Sequence, residues 1–239
     1  MAEKGMILQK IAVARNGFQD KFGIPRQSRE NSLIETRIVF ESAYRNPDAI
    51  RGIEGYSHLW LIWGFSENDK RRPKEEPAWS ATVRPPRLGG NTRVGVFASR
   101  SPFRPNPLGL TSVKLLRVEN SADGLVLVVS GADLLNGTPI YDIKPYLPYS
   151  DSHPDATNGF AEQTKDYRLE VCGLDSSESP DISASVCAEL CEILSQDPRP
   201  AYQDDPDRIY KLDYAGFCVA FSVKSGKVYV QNITKSDRK

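Results

Sequence analysis

The sequence predicts a mainly β protein: a small antiparallel β-barrel followed by a C-terminal α+β appendage. Two observations carry this expectation. Residues 7–14, 36–40, 57–65, 93–98, 110–118 and 125–129 form short alternating or β-branched runs, separated by turn residues. Only a short helical piece near 47–51 interrupts them, so a barrel or sandwich fits better than alternating βαβ units. The composition then shifts near residue 150, and the clearest helical pattern of the chain falls at 181–196.

Taken in order, the runs up to residue 129 are strands. Asn120, Ser121, Asp123 and Gly124 lie between two of the apolar runs and predict a hairpin over 117–125. Residues 150–164 are rich in Asp, Ser, Pro, Asn and Gly and read as a linker or long loop. In the helix, Ile182, Val186, Leu190, Ile193 and Leu194 share one face, and Pro198 stands just beyond its end. Residues 217–223 and 227–233, joined across Ser225-Gly226, predict a closing hairpin. The expected domains are a barrel over 1–150 and an α+β unit over 165–239.

With 239 residues, 39% apolar and 26% charged, the chain has the composition of an ordinary globular protein. No stretch approaches the ~18 apolar residues of a membrane helix, and the start lacks the apolar centre of a secretion signal, so a cytoplasmic location is the default. The four cysteines include no C-x-x-C pair; Cys187 and Cys191 share one helical face and read as small buried hydrophobes. With only His58 and His153 besides, no metal site is expected. No two glycines are separated by a single residue and no G-K-[ST] occurs, which excludes a Rossmann loop and a P-loop. Any nucleotide-like cofactor needs another arrangement.

The charges cancel overall, 31 against 31, but they are not mixed evenly. Residues 70–104 carry nine Lys or Arg against two Glu, or +7, whereas residues 105–239 carry −7. The basic stretch also holds Trp79 and Phe103, a combination that suits phosphate contacts and base stacking. Five prolines between Pro85 and Pro107 stiffen it, which favours arginines held in register. Arg84, Arg87 and Arg104 are the candidate RNA contacts, with Tyr146 further on. The alternative is a proline-punctuated connection whose arginines face water. Tyr202 and Arg199, in QDPRPAY, either reach RNA or dock the appendage.

A second dense stretch is NGTPIYDIKPYLPY, 136–149. Asp142 and Lys144 are two apart, so in an extended chain they point the same way, beside Tyr141, Tyr146 and Tyr149. That is either a carboxylate and cation placed for proton transfer or a surface ion pair.

PRQ at 25–27, SHLW at 57–60, RSPFRPNPLGL at 100–110, NGTPIYDIKPYLPY and QDPRPAY together resemble the TrmO family of β-barrel, S-adenosylmethionine-dependent tRNA methyltransferases. The resemblance runs over nearly the whole chain. It implies methylation at N6 of threonylcarbamoyl-adenosine beside the anticodon, hence binding of a tRNA anticodon stem-loop, and a homodimer. It implies cofactor contacts at Pro25, Arg26, Gln27, His58, Leu59, Arg100, Leu110, Asn136, Gly137, Thr138 and Pro139. Family members often show Asp where this chain has Asn136. Because an N6 nitrogen conjugated to a ring and a carbonyl is a poor nucleophile, Asp142 or a neighbouring polar group is the candidate proton acceptor, with Lys144 positioning Asp142 or a phosphate. The competing functions are methyl transfer to another RNA or a small acceptor, and a regulatory module that binds S-adenosylmethionine without turnover.

Overall fold

A computed structural model describes residues 6–25, 32–66, 79–85, 88, 91–122, 124–164, 167–174, 182–199 and 205–236. The strands are β1 (Ala12–Arg15), β2 (Glu35–Phe40), β3 (His58–Gly64), β4 (Thr82–Val83), β5 (Val94–Gly95), β6 (Leu108–Ser121), β7 (Gly124–Ser130) and β8 (Pro139–Pro145). After them come β9 (Glu170–Cys172), β10 (Tyr210–Tyr214), β11 (Phe217–Lys224) and β12 (Lys227–Lys235). The helices are α1 (Pro148–Asp151) and α2 (Ala184–Ser195).

The fold is mainly β, as the alternation predicts. In the first sheet the order is β1-β2-β7-β6-β3-β8, every pair antiparallel, and the sheet wraps closely until β1 also meets β8 at Ala12↔Ile140 and Val13↔Pro139. Period-two alternation decides which side chains fill the wrap. Along β3, Leu59, Leu61 and Trp63 point inward and are buried, while His58, Trp60 and Ile62 face outward. Ile38, Val113, Leu127, Val129 and Ile140 complete this core with Leu134.

The second sheet, β10-β11-β12-β9, is covered by α2 through Leu190, Ile193 and Leu194. Ser183 caps α2, its hydroxyl accepting from the Val186 amide at 3.3 Å. This core does not come from the C-terminal residues alone. Phe18 and Ile34 lie fully within it, with Phe22 and Ile24 packed against it. The Phe18 ring is 5.0 Å from that of Tyr214, and the Ala215 amide donates to the Gly17 carbonyl at 3.0 Å. Glu192 of α2 accepts from the Leu33 amide at 2.7 Å. The stretch between β1 and β2 is thereby stitched to the appendage at both ends.

Several expectations need adjustment. The run 7–14 yields only β1, because residues 6–10 are exposed and find no partner strand. The run 93–98 is a two-residue strand and then a 3-10 turn, Val96–Ala98, which buries Val96 alone. The expected linker 150–164 contains a further 3-10 turn, Gly159–Thr164. Among the described residues no helix is long and apolar enough to cross a membrane, and no group of three metal-ligating side chains occurs.

Candidate active site

At one end of the wrapped sheet, β3 and β7 run out while β6 and β8 begin. Here Trp63 lies against the backbone of Gly109; a Cβ on that residue would stand 2.2 Å from the indole, so only glycine admits the ring. The Trp63 indole N–H donates to Thr111 Oγ1 at 3.0 Å, and the Thr111 hydroxyl donates to Asp133 Oδ1 at 2.8 Å. A buried chain of polar groups with each donor matched is stable, whereas a broken one is costly. Burial pushes the Asp133 carboxyl above its ordinary range, while the Thr111 bond and the Arg100 cation oppose the rise.

Arg100 follows the Val96–Ala98 turn and is exposed. The loop carrying it is held from within. Ser99 Oγ donates to the Val96 carbonyl at 2.8 Å, and Arg104 donates to the carbonyls of Ser99 and Ser101 at 3.3 and 3.5 Å. Arg104 thus braces the loop with the guanidinium that sequence reasoning assigned to RNA.

The turn Asn136–Pro139 sits beside this mouth. Gly137 has φ +86°, a value side chains rarely adopt. The amides of Asn136, Gly137 and Thr138 donate to the carbonyls of Phe18, Ala14 and Leu135 at 3.0, 2.8 and 3.1 Å. Those three N–H groups are therefore committed to the fold, and any ligand contact falls to the Asn136 side chain or to carbonyl oxygens. Asn136 Oδ1 itself accepts from the Asn16 amide at 3.4 Å, a bond that needs an acceptor and is met equally by Asn or Asp. Pro25 is half-buried at the end of the stitched stretch. Arg26 and Gln27 lie outside the described residues, as do Arg87, Tyr202 and residues 67–78, which include the first part of the basic stretch.

Other expected residues share the outer face of β3, β6 and β8. The pairing sets Leu110, Ile62 and Asp142 in one row and Ser112, Trp60 and Lys144 in the next. Lys114 and His58 pair in a third row, where the Tyr146 amide donates to the His58 carbonyl at 3.0 Å. Asp142 and Lys144 do point the same way. They form an ion pair of 3.1 Å, 46% and 63% exposed, and Asp142 Oδ1 also accepts from the Ile143 amide at 3.0 Å. Trp60 donates to Asp151 Oδ2 at 2.8 Å, and the Leu147 amide, with Trp60, keeps the Asp151 carboxyl low. Tyr146 packs 5.4 Å from Trp60 and 6.2 Å from His58, whose Nδ1 is 2.9 Å from Ser57 Oγ. Leu59 buries its side chain in the core, and its backbone pairs with Val113 of β6 and Pro145 of β8. His58 stands four residues along the strand from Ile62, about 13 Å, so the face is not one compact pocket.

Two features escaped sequence reasoning. Asp133 is a lone acid in an apolar setting, Gly131-Ala132-Asp133-Leu134, and that isolation was its only signal. Phe97, 75% exposed, stacks on Trp79 at 6.5 Å in the basic loop, near exposed Arg84 and Arg93.

Arg100 and Asp133 bring opposite charges within reach of each other, a pairing that suits the amino-acid end of S-adenosylmethionine, while Leu110, next to Thr111 on β6, is exposed on the outer face. The fold defines a wrapped-sheet protein with an α+β appendage, built without a dinucleotide loop. Comparison with known proteins narrows this class. Residues 13–152 match the tRNA-methyltransferase O N-terminal domain and residues 162–236 the TrmO C-terminal domain. The chain is 38% identical over 200 residues to the tRNA (adenine(37)-N6)-methyltransferase of Escherichia coli, covering 82% of this chain and 83% of that one. It is 38% identical over 206 residues to a putative S-adenosylmethionine-dependent methyltransferase of Pseudomonas aeruginosa, covering 84% and 85%. A crystal structure of TrmO superposes with a TM-score of 0.76 at 28% identity, covering 98% of this chain and 100% of that one. The chain belongs to the TrmO family.

Proposed function

We propose that this protein transfers a methyl group from S-adenosylmethionine to N6 of adenine 37 of tRNA, with threonylcarbamoyl-adenosine as the acceptor base. The observation that carries the reading is that both parts of the chain match TrmO while Arg100 and Asp133 set opposite charges within reach of each other. The cofactor, when bound, supplies a methyl already activated on a sulfonium. What the chain must add is placement and a route for the N6 proton. Arg100 and Leu110 hold the cofactor, with Pro25, Arg26, Gln27, His58, Leu59 and the 136–139 turn. Asp142 accepts or polarises the proton and Lys144 sets its position, supported by their shared face with Leu110.

The anticodon stem-loop is held by Arg84, Arg87, Arg104 and Tyr146, and by the Trp79–Phe97 pair, which is exposed as a base-stacking platform requires. The protein works as a homodimer, and the enzyme acts in the cytoplasm. Mass spectrometry of nucleosides from tRNA incubated with protein and S-adenosylmethionine tests the reading. It expects methyl gain on threonylcarbamoyl-adenosine; consumption of cofactor without that product moves the acceptor elsewhere, and no consumption with any RNA overturns enzymatic function. Asp142→Asn and Lys144→Ala should lower turnover more than cofactor affinity, and unchanged turnover in both removes their assignment.

A further inference from the structure

We infer that Asp133 is the receptor for the α-ammonium group of the bound cofactor, paired with Arg100 so that the two read the amino-acid end as a zwitterion. The inference rests on the proposed cofactor. The geometry assigns Asp133 this part for three reasons. Its Oδ1 is fixed by the Thr111 hydroxyl at 2.8 Å, and Thr111 is fixed in turn by Trp63, so the carboxylate is held by a rigid wall of β3 and β6. Arg100 stands close enough for its charge to act on Asp133, which sets a cation and an anion on one side of the mouth. An α-amino acid presents its carboxylate and ammonium on a single carbon, so a receptor needs opposite charges at that kind of separation.

A carboxylate kept out of water at a mouth also has something to gain from a cationic ligand. Burial alone raises the cost of its charge, and an ammonium offsets that cost more effectively than bulk solvent could. Asp142 does not compete for this role, since it already faces Lys144 at 3.1 Å on the outer face. Arg100 alone would accept any carboxylate. Adding Asp133 selects an amino acid.

Calorimetry on the full chain tests this with two probes: S-adenosylhomocysteine, and its analogue in which hydrogen replaces the α-amino group. The unaltered protein should prefer the first by about 10- to 100-fold, the range of a charge-assisted hydrogen bond. Asp133→Asn, which keeps shape and can still accept from Thr111, should erase that preference by weakening only the amino-bearing probe. If the unaltered protein binds neither probe, the cofactor reading itself fails. Binding of both with equal strength overturns the Asp133 assignment whatever the variant does. So does an Asp133→Asn protein that weakens both probes equally, because that result makes the residue a structural support.

Discussion

Replacing Thr111 with valine isolates the polar chain that anchors the mouth. Valine has nearly the volume of threonine, so no cavity opens, and Thr111 is only 4% exposed, so water cannot step in. The substitution removes the bond from Trp63 at 3.0 Å and the bond to Asp133 at 2.8 Å. A neutral bond contributes about 0.5–1.5 kcal/mol and one to a charged group about 1.5–3 kcal/mol, giving an expected loss of about 2–4 kcal/mol. The loss should also depend on pH. The folded Asp133 has a raised pKa, so its contribution to stability is fully present below the unfolded value of 3.8 and is lost as pH rises through the folded value. Valine takes away a bond that favours the charged form and lifts the folded value further. The gap between the two proteins therefore widens toward neutral pH and narrows on acidification through the Asp133 range. Guanidinium unfolding followed by tryptophan fluorescence, near neutral pH and just below the unfolded value of 3.8, measures both quantities. A loss below about 0.5 kcal/mol, or an equal loss at both pH values, would refute the reasoning.

Three further outcomes are expected. Phe18→Ala empties a fully buried site in the second core and should cost about 3–5 kcal/mol in denaturant unfolding; a change within the range of a surface substitution contradicts the stitching described for Phe18 and Ile34. Gly109→Ala forces a Cβ to within 2.2 Å of Trp63 and should destabilise by about 1–3 kcal/mol, accompanied by a shift in the tryptophan emission. Lys144→Ala should move stability by less than about 1 kcal/mol, because its partner Asp142 is 46% exposed; thermal unfolding showing a larger loss would mean the pair is buried in an assembly.

What the sequence made legible is what local pattern controls. Alternation in β2 and β3, the continuous apolar run of β7, the turn residues of the 117–125 and 225–226 hairpins, and the apolar face of α2 are all set by neighbours a few positions away. β10 is Tyr-Lys-Leu-Asp-Tyr, an alternation as clean as the others, but too short and charged to stand out. β9 is three residues long and owes its pairing to Lys227–Tyr229, far along the chain. The same limit applies to the site. Asp142 and Lys144 were placed on one face by spacing alone, whereas the meeting of Trp63, Thr111, Asp133 and Arg100 requires four separate segments to converge. The commitment of the Asn136 and Gly137 amides was likewise invisible, since their acceptors are the distant carbonyls of Phe18 and Ala14.

The sharing of Phe18, Phe22, Ile24 and Ile34 with the C-terminal core has a consequence for how the chain is made. A ribosome releases these residues early and Tyr210, Leu212 and Tyr214 late. Strands β2 to β8 can pair as they emerge, yet the apolar stretch between β1 and β2 has nothing to cover it until β10 and β11 arrive. During synthesis the nascent chain carries an open sticky segment, and a transcript cut short before β10 yields a wrapped sheet that cannot hide it. Quality control then has a simple mark by which to distinguish a finished copy from a truncated one.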